Sequence, residues 1–288
     1  MGKLLVIADE NKRCVAIRRG LELADKLDCS VDVVAFGYTS LRALRLKVPG
    51  RAKIKKRLLV QREASVQQQI DQFKQARQKV NLIVVWEKDI VPWIVKRCSR
   101  PYEAVVKTGH RAESFSFTST DWQLLRECPR PVLIVAEKKW HRTKPVLATV
   151  DLASSVPEKI ALNHAVIDKA KRFASALGTD LRIITAVEIP AILAELDLVD
   201  PLAYVKELKQ EMRPRIRELA ETHGLSERLF RIKRGPVAKV ISSDAARQRA
   251  QLVIMGTVGR QGLAARLLGN TAESVLRHLR TDVLALKL

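Results

Sequence analysis

The sequence predicts an α/β protein made of two tandem, doubly wound parallel-sheet domains related by pseudo-twofold symmetry. Three observations lead there. Short, continuous runs rich in Val, Ile and Leu alternate with helical patterns, as in parallel sheets covered by helices on both faces. The chain also repeats itself with a period near half its length. At 288 residues, two ordinary cores are a better expectation than one large one.

The first run, Lys3-Leu4-Leu5-Val6-Ile7-Ala8-Asp9, reads as a strand ending in aspartate and recurs as Lys144 to Asp151. Ile17, Leu21, Ala24 and Leu27 then fall on one helix face; Ile160, Ile167, Ala170, Ala174 and Leu177 do the same in the second copy. His164 shares that face and reads as a hydrogen-bonded core histidine. Val31–Phe36 recurs as Leu181–Val187, Val105–Lys107 as Val253–Met255, and Pro131–Ala136 as Asp282–Lys287. Between them, Val66, Ile70 and Phe73 mark one face of a long helix whose early turns carry Arg51–Arg62. The polar stretch Glu137–Thr143 separates the copies, giving domains at 1–138 and 144–288 with a linker at 139–143. Pro157, Pro190, Pro201 and Pro236 fall at helix starts or loops.

Bulk properties narrow the function classes. No stretch approaches the run of about 20 apolar residues that a membrane span needs, and the apolar part of the N-terminus is too short for a signal peptide. A cytoplasmic protein is expected. The four cysteines show no Cys-x-x-Cys pairing and read as reduced thiols, and the five histidines show no zinc spacing. A formal net charge of +21 favours anionic partners. It is densest from Arg42 to Arg62, with nine basic residues and no acidic one. No aromatic interleaves that run and no DNA-binding motif surrounds it, so it reads as a solvated helix face open to non-specific contact with anionic polymers.

The most informative motif is Gly256-Thr257-Val258-Gly259 followed, nine residues on, by Gly269-Asn270-Thr271. It leaves an apolar strand and enters a helix with Ala272, Val275, Leu276 and Leu279 on one face. Glycines there allow close backbone approach to a ligand, and the free N–H groups of a helix start can hold phosphate. The same residues also fit plain turn glycines, with Asn270 as N-cap and Glu273 closing a capping box.

This Gly-x2-Gly-x9-Gly spacing resembles the universal stress protein family. Gly269-Asn270-Thr271-Ala272-Glu273 and the Thr118–Leu125 run leading into Cys128-Pro129-Arg130-Pro131-Val132 resemble its tandem, E-type branch. The resemblance implies an adenine nucleotide, ATP or ADP with or without Mg, held by the second domain. Its strand-one aspartate maps to Asp151, its adenine-contacting residue to Val187 and its glycines to Gly256, Gly259 and Gly269. The family's Ser or Thr after the third glycine is replaced by Asn270, with Thr271 following. The first half offers Thr108 and Arg111 where Gly256 and Gly259 stand, and Asp121 would repel a phosphate at its last helix, so that site reads as degenerate.

The resemblance further implies stress and DNA-damage tolerance exerted through protein partners. It also implies an intramolecular pseudo-dimer joined through the last strands, and leaves a homodimer open. No Walker-A lysine is present and no group is placed to position water. An efficient enzyme is not expected, though weak ATP hydrolysis stays open.

Overall fold

The computed structural model describes residues 2–10, 14–40, 48–109, 119–136, 140, 143–189, 200–257 and 269–287. The chain divides into two compact units, Met1–Glu137 and Lys138–Leu288. The first runs β1 (Gly2–Ala8), α1 (Val15–Leu27), β2 (Cys29–Gly37), α2 (Val48–Phe73), β3 (Val80–Trp86), α3 (Ile90–Arg97), β4 (Ala104–Thr108), α4 (Ser119–Glu127) and β5 (Val132–Val135). The second runs β6 (Val146–Thr149), α5 (Pro157–Leu177), β7 (Leu181–Val187), α6 (Pro201–His223), β8 (Phe230–Arg234), α7 (Val237–Arg247), β9 (Leu252–Gly256), α8 (Asn270–His278) and β10 (Asp282–Leu286).

Within the first unit the strands lie in the order β3-β2-β1-β4-β5, and within the second β8-β7-β6-β9-β10, all neighbours parallel. Strand order reverses between β1 and β4, and between β6 and β9. The early crossovers, α1 and α2 or α5 and α6, pack together on one face, while α3 with α4 and α7 with α8 pack together elsewhere. This is the doubly wound arrangement the alternating pattern predicts.

The core follows the apolar periodicity. Ile17, Leu21, Ala24 and Leu27 are buried along α1, as are Ala272, Val275, Leu276 and Leu279 at α8. Each large one contributes about 1.5–3 kcal/mol of transfer free energy. On α5 the buried face is rotated from the expected one. It runs through Leu162, Asn163, Val166, Ile167, Ala170, Phe173 and Ala174, while Ile160 is exposed. Ile160 lies in the first turn, ahead of the residues that cover the sheet.

Two strands beyond the repeated runs, β3 and β8, form sheet edges. β8 alternates apolar and basic residues, and β3 leaves every apolar residue half-buried. All four cysteines are free and buried. The buried Asp32 carboxylate is paired: it accepts from Tyr102 Oη at 2.6 Å, Arg97 at 3.0 Å and Lys3 at 3.3 Å. Among the described residues no helix is long and apolar enough to cross a membrane.

Candidate functional site

Parallel strands present their carboxyl ends at one edge of a sheet, and the point where strand order reverses opens a crevice there. In the second unit that point lies between β6 and β9, where Thr149 stands beside Met255. Asp151 follows β6 by two residues, Gly256 ends β9 and Val187 ends the neighbouring β7. Gly269, Asn270 and Thr271 open α8, which runs back from the same edge toward β10. Thus six of the seven expected residues come to one edge. Gly259 lies outside the described residues.

The fold shows how each is held. The backbone of Asp151 is clamped by Asn163 of α5, whose Oδ1 accepts the Asp151 N–H at 2.9 Å while its Nδ2 donates to the Asp151 carbonyl, also at 2.9 Å. The Asp151 carboxylate is half-exposed, and its Oδ2 accepts from Lys159 at 2.9 Å. The next residues are fixed from α6, where Arg215 donates to the carbonyls of Leu152 and Ser154, both at 2.6 Å. Asn163, Lys159 and Arg215 were not expected from the sequence. Asn163 had a legible signal, a lone amide on an otherwise apolar helix face.

Val187 is buried, and its carbonyl accepts the N–H of Gly235 at 2.9 Å. It therefore has only its second lone pair left for a base. At Gly256 a Cβ would lie 2.3 Å from Leu162 Cδ2, so the missing side chain lets α5 seat on the sheet. Thr257 points inward: its N–H and hydroxyl both donate to the Leu286 carbonyl, at 2.8 and 2.9 Å.

The helix start departs from the capping-box reading. Gly269, not Asn270, is the N-cap of α8, and no side chain caps it. Glu273 instead pairs with Arg277 at 2.7 Å. Asn270 and Thr271 are exposed in the first turn, and among the described residues no side chain caps the positive end of the helix.

The first unit fills the corresponding places with its own groups. Thr108 ends β4 as Gly256 ends β9, and its hydroxyl accepts the N–H of Ala16 at the start of α1, at 3.0 Å. From α2, Arg62 reaches over the strand ends and donates to the carbonyls of Ala8 at 3.0 Å, Asp9 at 2.6 Å and Phe36 at 3.2 Å. Arg62 is thus not part of an exposed basic face. Asp121 is fully buried and pairs with Lys107 at 2.6 Å, so its charge is neutralised within the unit instead of projecting from the start of α4. His110 and Arg111 lie outside the described residues.

Away from this edge, His164 is hydrogen-bonded as expected, but it is half-buried at the rim of the α5 face and not in the core. Its Nδ1 lies 2.9 Å from His223 Nε2, and Asp168 accepts from His223 Nδ1 at 2.7 Å. A cavity of about 350 Å³ lined by Thr143, Ala174, Ser175, Gly178, Thr179 and Asp180 sits at the opposite, amino-terminal edge of the second sheet. It shares no residue with the site. Among the described residues no three His, Cys, Asp or Glu side chains gather as metal ligands.

Comparison with known proteins agrees with this architecture. A family model described as the universal stress protein family matches residues 143–287. Universal stress protein E of Escherichia coli strain K12 is 30% identical over 296 residues, covering 99% of this chain and 93% of that protein. A Haemophilus influenzae homolog of universal stress protein E is 26% identical over 297 residues, covering 99% and 96%. Among solved structures, a protein from Pseudomonas aeruginosa superposes with a TM-score of 0.74 at 22% identity, covering 99% of this chain and 92% of that one. The paired sheets, the glycine-opened edge of the second and a likeness running from end to end place this chain in the universal stress protein family, in the tandem form that universal stress protein E represents.

Proposed function

We propose that this stress protein binds an adenine nucleotide, ATP or ADP, at the carboxyl edge of its second unit, and that it acts in stress and DNA-damage tolerance through protein partners that respond to that occupancy. The single observation carrying the nucleotide reading is the start of α8, capped by glycine with its first turn exposed, beside the strand-order reversal. The first-turn N–H groups at Asn270 and Thr271 would take phosphate oxygens, as helix N-termini do. Asp151 would accept a ribose hydroxyl through the carboxylate that Asn163 and Lys159 position, and the family resemblance adds Gly259, outside the described residues, to the phosphate contacts. The base would meet the edge at Val187.

The first unit stands as the internal contrast. There Thr108 takes an N–H at the start of α1 and Arg62 takes the strand-end carbonyls, which supports its reading as a structural or partner-binding copy. A protein-held Mg²⁺ does not fit the described donor set. Asp151 is engaged with Lys159 and belongs to no group of three ligating side chains, so any metal would arrive on the nucleotide's own phosphates.

Melting the full-length protein with ATP, ADP or neither tests the proposal. Ligand at about 100 times its Kd adds roughly 2.7 kcal/mol. At about 2–4 °C per kcal/mol, that raises the Tm of the second unit by about 5–11 °C. Asp151→Ala should weaken binding by about 1.5–3 kcal/mol, one charge-assisted hydrogen bond, while Asp9→Ala should leave the ligand-induced shift intact. No shift at millimolar nucleotide would overturn the reading.

A further inference from the structure

The four buried cysteines are not equivalent. Cys14 and Cys29 have backbone partners: Cys14 Sγ accepts the Asp9 N–H at 3.2 Å and donates to the Ile7 carbonyl at 3.9 Å, and Cys29 Sγ donates to the Leu27 carbonyl at 3.6 Å. Cys98 and Cys128 turn their sulfurs to each other, Sγ to Sγ at 3.7 Å, with Cys128 donating. Cys98 ends α3, its N–H donating to the Ile94 carbonyl. Cys128 follows α4, its N–H donating to the Leu124 carbonyl. Two residues on, Arg130 Nε donates to the Cys98 carbonyl at 3.1 Å and ties the two helix ends together. Neither cysteine is more than 1% exposed. At the matching end of α8, Leu279 makes the same backbone bond, to Val275, and is equally buried. That place in the fold therefore packs without sulfur, and filling it does not call for a thiol that faces a second thiol.

We propose that Cys98 and Cys128 are a modification site, a dithiol that peroxide oxidises to a disulfide stapling the end of α3 to the end of α4. Burial excludes bulky disulfides such as oxidised glutathione and leaves a small peroxide as the oxidant. One thiol takes an oxygen from the peroxide, becoming a sulfenic acid as the first water leaves. The facing sulfur then displaces that hydroxyl, which departs with the second thiol's proton as another water. Two thiols thus lose two electrons and two hydrogens, and one hydrogen peroxide becomes two waters. The hydrogen bond with Cys128 and burial push the Cys98 thiol up, so the reduced pair rests as thiols and the first step is slow at neutral pH. The second step is fast by comparison, because the resolving sulfur is already in contact. The closed loop spans β4 and α4, including the Lys107–Asp121 ion pair.

Full-length protein treated with hydrogen peroxide, alkylated under denaturing conditions and digested without reductant tests this directly. The chain should lose about 2 Da, two hydrogens, and yield a cross-linked peptide pair that holds Cys98 and Cys128. Cys14→Ala combined with Cys29→Ala should leave that product unchanged, and Cys98→Ala should abolish it. With the two cysteines 30 residues apart, closing the loop should raise the Tm of the first unit by about 7–15 °C, and reductant should return it. Five results would each overturn the proposal: thiols left intact, oxygen adducts in place of lost hydrogens, a cross-link that includes Cys14 or Cys29, a disulfide between chains, or an oxidised unit that melts no higher than the reduced one.

Discussion

Replacing Gly256 with alanine separates two roles for a glycine at this edge, approach of a ligand and approach of a helix. An ideal Cβ at 256 would sit 2.3 Å from Leu162 Cδ2 and 2.6 Å from its Cγ. Carbon atoms in favourable contact lie about 3.5–4.0 Å apart, so Leu162 must retreat by more than about 1 Å. It is 5% exposed on the core face of α5, so the displacement passes to its rotamer or to the helix. Overpacking of this kind costs about 1–3 kcal/mol, and at about 2–4 °C per kcal/mol the second unit should melt about 2–12 °C lower. Calorimetry of the ligand-free protein measures it. In a Leu162→Ala background the added methyl should cost nothing or stabilise, because the space it needs is vacant. A Gly256→Ala protein that melts with wild type, or loses the same amount in both backgrounds, would refute the packing role and leave ligand approach as the reason for the glycine.

Asn163→Ala strips both hydrogen bonds from the Asp151 backbone; we expect about 1–3 kcal/mol of destabilisation and a smaller nucleotide-induced melting shift. Lys107→Met removes an ion-pair partner of the fully buried Asp121 and should cost about 3–5 kcal/mol by denaturant unfolding. Acid should unfold both units. Burial pushes the Asp244 and Asp32 carboxyls up. Lys233, Gln248 and Arg247 around the first, and Tyr102, Arg97 and Lys3 around the second, outweigh it and hold both below 3.8. Folded values below unfolded ones stabilise above that pH and are lost as pH falls beneath it, so Asp244→Asn should flatten the acid limb of a Tm-against-pH curve. On the alkaline side, burial and the Asp32 hydrogen bond push Tyr102 up to about 12 from 10.0. Its contribution is whole below pH 10 and lost on the way to 12, and Tyr102→Phe should remove that limb.

Continuous apolar runs and their repetition made the central strands legible, because a strand covered on both faces has little freedom in composition. The edge strands were less so. β8, Phe230–Arg234, alternates with basic residues and β3 sits beside a charged helix, so neither has a copy that stands out in the other half. At the site, Asp151 and the glycines were visible as residue types, but their roles were not. Gly256 looks like an opening for a ligand until Leu162 is found in the space. Ile160 has the right spacing for the core and lies one turn too early. Arg62 belongs by sequence to a basic run, while its contacts with Ala8, Asp9 and Phe36 depend on the distance between α2 and the strand ends. Cys98 and Cys128 form no motif in sequence, and their sulfurs meet through the packing of α3 on α4. Side-chain reach across elements is a tertiary property, and a one-dimensional pattern does not record it.

The guanidinium of Arg62 has a bearing on stoichiometry. Duplication usually gives a chain two equivalent sites that can influence one another. Here Arg62 fills the strand ends of the first copy, so on the proposed nucleotide reading a ligand should titrate at one equivalent per chain. Its isotherm within the chain should then be a simple hyperbola with a Hill coefficient of one, and any cooperativity measured in solution would belong to association between chains.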